Sequence, residues 1–211
     1  MTAACLGSLA LKDFVHLHLH SQYSLLSGAI RLKSLFPRLQ ELGMKAVACT
    51  DLGNMFGAVD FYKRAKAAGI KPILGVEVFV AEGSLDQPAE DDRSAFHLVL
   101  LARNDAGYAN LCKLVSFAYT RGLRHDKPRV DLAMLAAHRE GLIATSACAD
   151  GQIAQAILQD RPDHARQLAI AYRDTFEAGC FYLEVIPSGT AAEQRVNAAF
   201  RALGAELAIE L

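Results

Sequence analysis

The sequence has no tryptophan and only five cysteines among its 211 residues. These cysteines, at 5, 49, 112, 148 and 180, are odd in number, and none forms a C-x-x-C pair. That excludes a disulfide framework and a zinc ribbon and fits a reducing, cytoplasmic setting. Charge of one sign is missing too: 22 Lys and Arg stand against 23 Asp and Glu, a net charge of −1. The chain is therefore no basic sleeve for nucleic acid, although a local basic patch is compatible with it. No apolar run reaches the ~18 residues of a membrane span, so no membrane contact is expected. No Lys or Arg precedes Lys12, so residues 1–13 lack the basic start of a signal peptide and read as a flexible leader. Neither G-x-G-x-x-G nor G-x-x-x-x-G-K-[ST] occurs, which leaves two common nucleotide cradles unsupported.

Apolar residues make up 52% of the chain, enough for one sizeable core and too many for disorder. Short apolar runs alternate with longer amphipathic ones. The strand candidates are Phe14–Leu19, Ala46–Thr50, Pro72–Val80, Phe96–Ala102, Leu142–Ser146 and Tyr182–Ile186. Most are rich in Val, Ile and Leu, which predicts buried parallel strands. Helices are expected over Leu32–Leu42 and Phe56–Ala68, closing at Gly43 and Gly69, and over Ala106–Tyr119. Asp131 is a natural N-cap for Asp131–His138, and Pro162 a natural start for Pro162–Phe176. Gly151–Leu158 is a further helix, and Ala191–Leu211 is one long helix or a helix running into a strand. The alternation implies an α/β fold. Cys49 and Cys112 read as core residues.

The strongest chemical signal is Val15-His16-Leu17-His18-Leu19-His20. Strand alternation would put the three imidazoles on one face, where burial without partners is costly. A metal or phosphate site explains them better, with His18 and His20 as ligands at the strand end and His16 deeper, behind them. Other strand ends add compatible groups. Glu77 stands alone in an apolar strand, His97 opens the fourth run, and Cys148 follows the fifth. Asp51 ends the second strand and would also stand behind the ligands. Such a mixed set suits zinc, manganese or iron, and two or three ions would activate water and clamp a phosphate. Arg121, Arg124, Lys127 and Arg129 crowd the segment 121–129, either as a solvated loop or as a phosphate or nucleic-acid contact.

Five segments together are specific: FVHLHLHSQYSLLSGA, TDLGNMFGAVDFYKRAKAAGIKPILGVEVFV, FHLVLLARNDAGYANLCKLVSFAY, EGLIATSACADGQI and FYLEVI. They resemble the N-terminal PHP (polymerase and histidinol phosphatase) domain of bacterial DNA polymerase III alpha subunits. The phrase T-D-x-G-N-M-F-G-A-V-x-F-Y, followed by G-I-K-P-I-x-G, is the most restrictive part. The resemblance runs from Phe14 to the end and assigns residues 14–211 to one PHP domain. It implies a distorted seven-stranded, TIM-like β/α barrel whose strand ends hold up to three metal ions. It also implies that the chain stops before the last strand, leaving the barrel open and the fragment prone to self-association. The ligands carried over are His18, His20, Glu77, His97 and Cys148. Two family ligand positions hold Ser27 and Leu52 instead, which implies one or two divalent ions (Zn, Mn or Fe) at reduced affinity.

The resemblance implies a scaffold and metal-binding module of a replicative DNA polymerase, itself a nucleotidyltransferase. No catalytic palm lies within 211 residues. Implied partners are the remainder of the alpha subunit, the proofreading exonuclease subunit and, through the full-length protein, DNA. The alternative is a live phosphoesterase, a proofreading exonuclease or small-molecule phosphatase working through metal-activated water.

Overall fold

The computed structural model describes residues 14–87, 93–187 and 189–211. The expected leader, with Cys5 in it, lies outside the described residues.

The first half repeats a helix–strand unit: α1 (Leu32–Glu41), β1 (Ala46–Cys49), α2 (Ala58–Ala67) and β2 (Lys71–Val80). Both helices end where expected, with Gly43 and Gly69 at φ 71° and 69°, a left-handed turn that glycine adopts without strain. In α1 the buried residues are Leu32, Leu35, Phe36 and Leu39, the helical stripe read from the sequence. β3 (Phe96–Ala102) leads into α3 (Asp105–Thr120), capped by the Asn104 side chain. The short strands β4 (Leu123–Arg124) and β5 (Lys127–Val130) precede α4 (Leu132–Ala137). Asp131 caps α4 by accepting from the Met134 N–H at 2.8 Å. β6 (Leu142–Thr145), α5 (Gln152–Leu158) and α6 (Pro162–Thr175) follow, and Pro162 opens α6 as expected. β7 (Phe181–Tyr182) and α7 (Ala191–Leu207) complete the order.

The strands form a seven-stranded sheet in the order β4-β5-β2-β3-β6-β7, with β1 on β2. The expectation of parallel strands throughout is corrected here. β1–β2, β2–β5 and β6–β7 are parallel, but β3 runs antiparallel to both β2 and β6. No helix among the described residues joins β2 to β3, so the chain turns back instead of crossing over. Apolar runs without alternation arise whenever both faces of a strand are covered, whatever its direction. Residues 121–129 are no simple loop either. β4 and β5 make a hairpin whose turn residues, His125 and Asp126, both have positive φ (48° and 60°). Two strands are shorter than expected. Phe14–Leu19 forms no regular strand and bends at His18, though the His16 and Leu19 carbonyls accept from the Ala48 and Thr50 N–H groups of the β1 side. The last strand stops at Tyr182. α7 ends in a left-handed Ala208, and the tail turns back so that the Leu183 N–H donates to the Glu210 carbonyl.

The sheet divides the apolar residues. Val76, Val78, Leu98, Leu100 and Leu142 pack outward under α3, α5, α6 and α7. Leu19, Val47 and Phe61 form a second cluster with α1. A small third cluster, Ala48, Val99, Leu101 and Ala147, fills the inner side. The polar site sits on this inner face. Cys49 is buried as expected, but Cys112 is exposed on α3, away from the core. Among the described residues no helix is long and apolar enough to cross a membrane.

Candidate metal centre

Glu77 is the hub. Along β2, Val76, Val78 and Val80 take the outer face, which leaves Glu77 on the inner one beside Val99. Its side chain is 1% exposed. Three imidazoles meet its two oxygens. His18 Nε2 is 3.2 Å and His97 Nδ1 3.0 Å from Oε1, and His20 Nε2 is 2.6 Å from Oε2. Cys148 Sγ lies 4.0 Å from His97 Nδ1. Two overlapping triads result, His18–His20–Glu77 and Glu77–His97–Cys148, with the donor atoms of each within 4.8 Å of one another. The five residues expected as ligands are thus brought together.

The electrostatics follow from this crowding. Burial works against a charged Glu77, but hydrogen bonds from His18, His20 and His97 outweigh it and hold the carboxyl well below the usual range. Burial likewise opposes a charged His18, yet Glu184 and Glu77 push its pKa up to about 10. His97 rises to about 9 against its own burial, through Cys148 and Glu77. The shifts at His18 and His97 favour protonated imidazoles beside a charged Glu77. Nitrogen, carboxylate and thiol donors converging on one buried carboxylate suit a divalent ion of borderline softness, so the residues fit the expected metal.

Glu184 was not among the expected site residues. Its Oε1 lies 2.8 Å from His18 Nδ1, and its Oε2 accepts from the Thr145 hydroxyl at 2.5 Å. The signal was present: a lone Glu in the apolar run Tyr182–Ile186 is the same anomaly that marked Glu77. The contact also shows how far the sheet curls. His18 belongs to the segment beside β1, and Glu184 follows β7.

The remaining expected residues divide. His16 is exposed, packs edge-on against Phe14 at 5.0 Å, and is not a deeper group behind the ligands. Asp51 is buried and accepts from the Ser21 N–H (2.6 Å), the Ser21 and Ser24 hydroxyls (2.8 and 2.7 Å) and the Cys49 thiol (3.3 Å). It fixes the turn that follows His20. Leu52 pairs with Glu77 in parallel register, and Ser27 is exposed on the loop between two cavities. The basic residues do not act as one patch. Arg129 is 1% exposed, with Nη1 on the Ser94 carbonyl, so it offers no surface contact for a phosphate. Lys127 lies over the Phe79 ring at 4.4 Å, while Arg121 and Arg124 are exposed.

The sequence profile of the PHP domain matches residues 16–188. The chain belongs to the PHP domain family. Its curated relatives include DNA polymerase III subunit alpha of Borreliella burgdorferi, 41% identical over 94% of this chain, and that of Treponema pallidum, 43% identical over 96%. The Thermus aquaticus subunit is 43% identical over 87%. The match takes up only 15–17% of those relatives, so this PHP chain spans about a sixth of their length. Two solved structures share the fold at low identity. One is described as a metal-dependent phosphoesterase from Bifidobacterium adolescentis (14% identity, TM-score 0.55, 92% of this chain and 84% of that one). The other is an amidohydrolase from Chromobacterium violaceum (15%, TM-score 0.58, with the same coverage of 92% and 84%). These likenesses agree with a TIM-like barrel.

Proposed function

We propose that this PHP domain, residues 14–211, is a metal-binding scaffold at the N-terminal end of a replicative DNA polymerase III alpha subunit. The observation that carries the metal reading is Glu77, shared at 1% exposure by two donor triads. His18 and His20 on one side, and His97 and Cys148 on the other, would hold one or two divalent ions of zinc, manganese or iron. A bound ion would act as a Lewis acid toward a phosphate oxygen. The residues themselves tie four parts of the barrel wall together, from the N-terminal segment through β2 and β3 to the turn after β6. The polymerase context rests on identity with alpha subunits over nearly the whole chain. The rest of that subunit is the first partner, the proofreading exonuclease subunit a further one, and DNA is reached through the whole protein. A cytoplasmic location follows from that context.

The scaffold reading is tested by thermal melting with and without a chelator. Metal removal lowers the melting temperature of the wild type and leaves a Glu77→Gln variant, which lacks the carboxylate shared by both triads, unmoved. Equal melting of the wild type in both conditions would remove the metal from the account.

A second reading, a phosphoesterase, is favoured by one observation. The histidines open onto a cavity of about 520 Å³ lined by His16, His18, His20, Ser27 and Arg38. Manganese-dependent release of nucleotides from single-stranded DNA by the wild type, lost in His20→Ala, would establish it.

A further inference from the structure

We propose that Glu184 is a positioning residue for the metal centre, holding His18 by Nδ1 so that Nε2 is the nitrogen offered beside Glu77. The inference rests on the metal reading above and adds to it a residue that supports a ligand without being one.

Among the described residues, only His18 has both ring nitrogens on carboxylates: Nδ1 at 2.8 Å from Glu184 and Nε2 at 3.2 Å from Glu77. A neutral imidazole carries one N–H, and the nitrogen that binds a metal must be bare. A carboxylate that accepts from Nδ1–H leaves the lone pair on Nε2, the side that faces Glu77 and His20. His97 turns the other nitrogen to Glu77, with Nδ1 at 3.0 Å. The two histidines that share Glu77 Oε1 therefore differ in which atom they present, and Glu184 accounts for the choice at His18.

Glu184 is built to be rigid before His18 meets it. Its second oxygen accepts from Thr145, and its backbone N–H donates to the Ser146 hydroxyl at 2.9 Å. Both partners are buried at the end of β6. The residue before it is tied to the tail through the Leu183–Glu210 hydrogen bond at 2.9 Å. A carboxylate placed only for solubility would need none of these anchors. A carboxylate that sets the orientation of a ring needs all of them, because a ligand that is free to rotate loses affinity for its ion.

A competing role is a plain clasp, since the contact also joins the two ends of the sheet. The two roles differ in what they move. In zinc titrations of the full 211-residue chain, Glu184→Ala weakens affinity about 10- to 100-fold, and Glu184→Gln, whose amide oxygen still accepts from Nδ1–H, recovers most of the loss. Nitrogen-15 spectra of the zinc-loaded wild type show His18 protonated at Nδ1 and metallated at Nε2. Unchanged zinc affinity in a folded Glu184→Ala chain, with only its melting temperature lowered, overturns the proposal in favour of the clasp. Should Glu184→Ala not fold, metallation at Nδ1 in the wild-type spectrum overturns it equally. Glu77→Gln, which alters the residue common to both triads, serves as the reference: if it too binds zinc like the wild type, the metal reading itself falls and takes this inference with it.

Discussion

Leu52 stands in parallel register with Glu77, the hub of the metal centre. Residues paired across a ladder project to the same face, so position 52 looks onto the cluster with an aliphatic side chain that can donate nothing. Ser27, on the loop beside it, is exposed and equally poor as a ligand. Leu52→His is therefore expected to add a donor and tighten divalent-metal binding by about tenfold, or ~1.4 kcal/mol. Ser27→Asp adds to the effect. Isothermal titration with manganese measures both. An unchanged affinity in the double variant would mean that these positions do not face the ion.

The metal-free centre also predicts a particular pH dependence. Folded His18 keeps its proton up to about 10, against an ordinary value of 6.5, so its stabilising contribution is complete below about 6.5 and is lost as pH rises through 10. Glu77 is shifted the other way from 4.5, so its contribution is complete above about 4.5 and is lost on acidification. The chelated chain is expected to be most stable between those limits and to weaken toward alkaline pH. A bound ion must displace the His18 and His97 protons, so metal affinity rises with pH over the same alkaline range. Melting curves of chelated and loaded chain across pH check both signs.

Asp51 supports the site from beneath by accepting from Ser21, Ser24 and Cys49. Asp51→Ala leaves those buried donors without an acceptor, at a cost of about 3 kcal/mol. The same change loosens the turn that follows His20. Denaturant unfolding is expected to show the loss, and metal titration a weaker site. A variant as stable as the wild type would contradict the role given to Asp51.

Thiol labelling separates the cysteines. Burial, with Asp51 alongside, pushes the Cys49 thiol up to about 12, so it stays protonated and shielded at neutral pH. Cys180 is buried too, while Cys112 is exposed and Cys148 partly so. Maleimide labelling with peptide mapping is expected to mark Cys112 quickly, Cys148 more slowly, and Cys49 and Cys180 only on unfolding. Added zinc is expected to protect Cys148 and leave Cys112 unaffected. Equal labelling of Cys148 with and without zinc removes it from the ligand set.

Much of this was legible in the residues because the chemistry is local. The caps at Asp131 and Pro162, the glycine stops at 43 and 69, and the stripe of α1 all depend on neighbours in sequence. His18, His20, Glu77, His97 and Cys148 were visible because polar groups in apolar runs need partners. Three features were not legible for a common reason. The reversed direction of β3, the burial of Arg129 and the meeting of His18 with Glu184 are set by distant pairing, which composition and spacing do not encode. His16 departs from its expected place because strand alternation does not hold over Phe14–Leu19, which bends at His18 and forms no regular strand.

The central claim is that Glu77 organises an ion. The most direct measurement is the metal content of the purified chain, by mass spectrometry after dialysis against zinc, for the wild type and for Glu77→Gln. Glutamine keeps the size of the side chain and removes its charge, and circular dichroism verifies that the variant is folded. The account predicts that the wild type retains zinc and that Glu77→Gln retains none. Equal retention by both chains would contradict it.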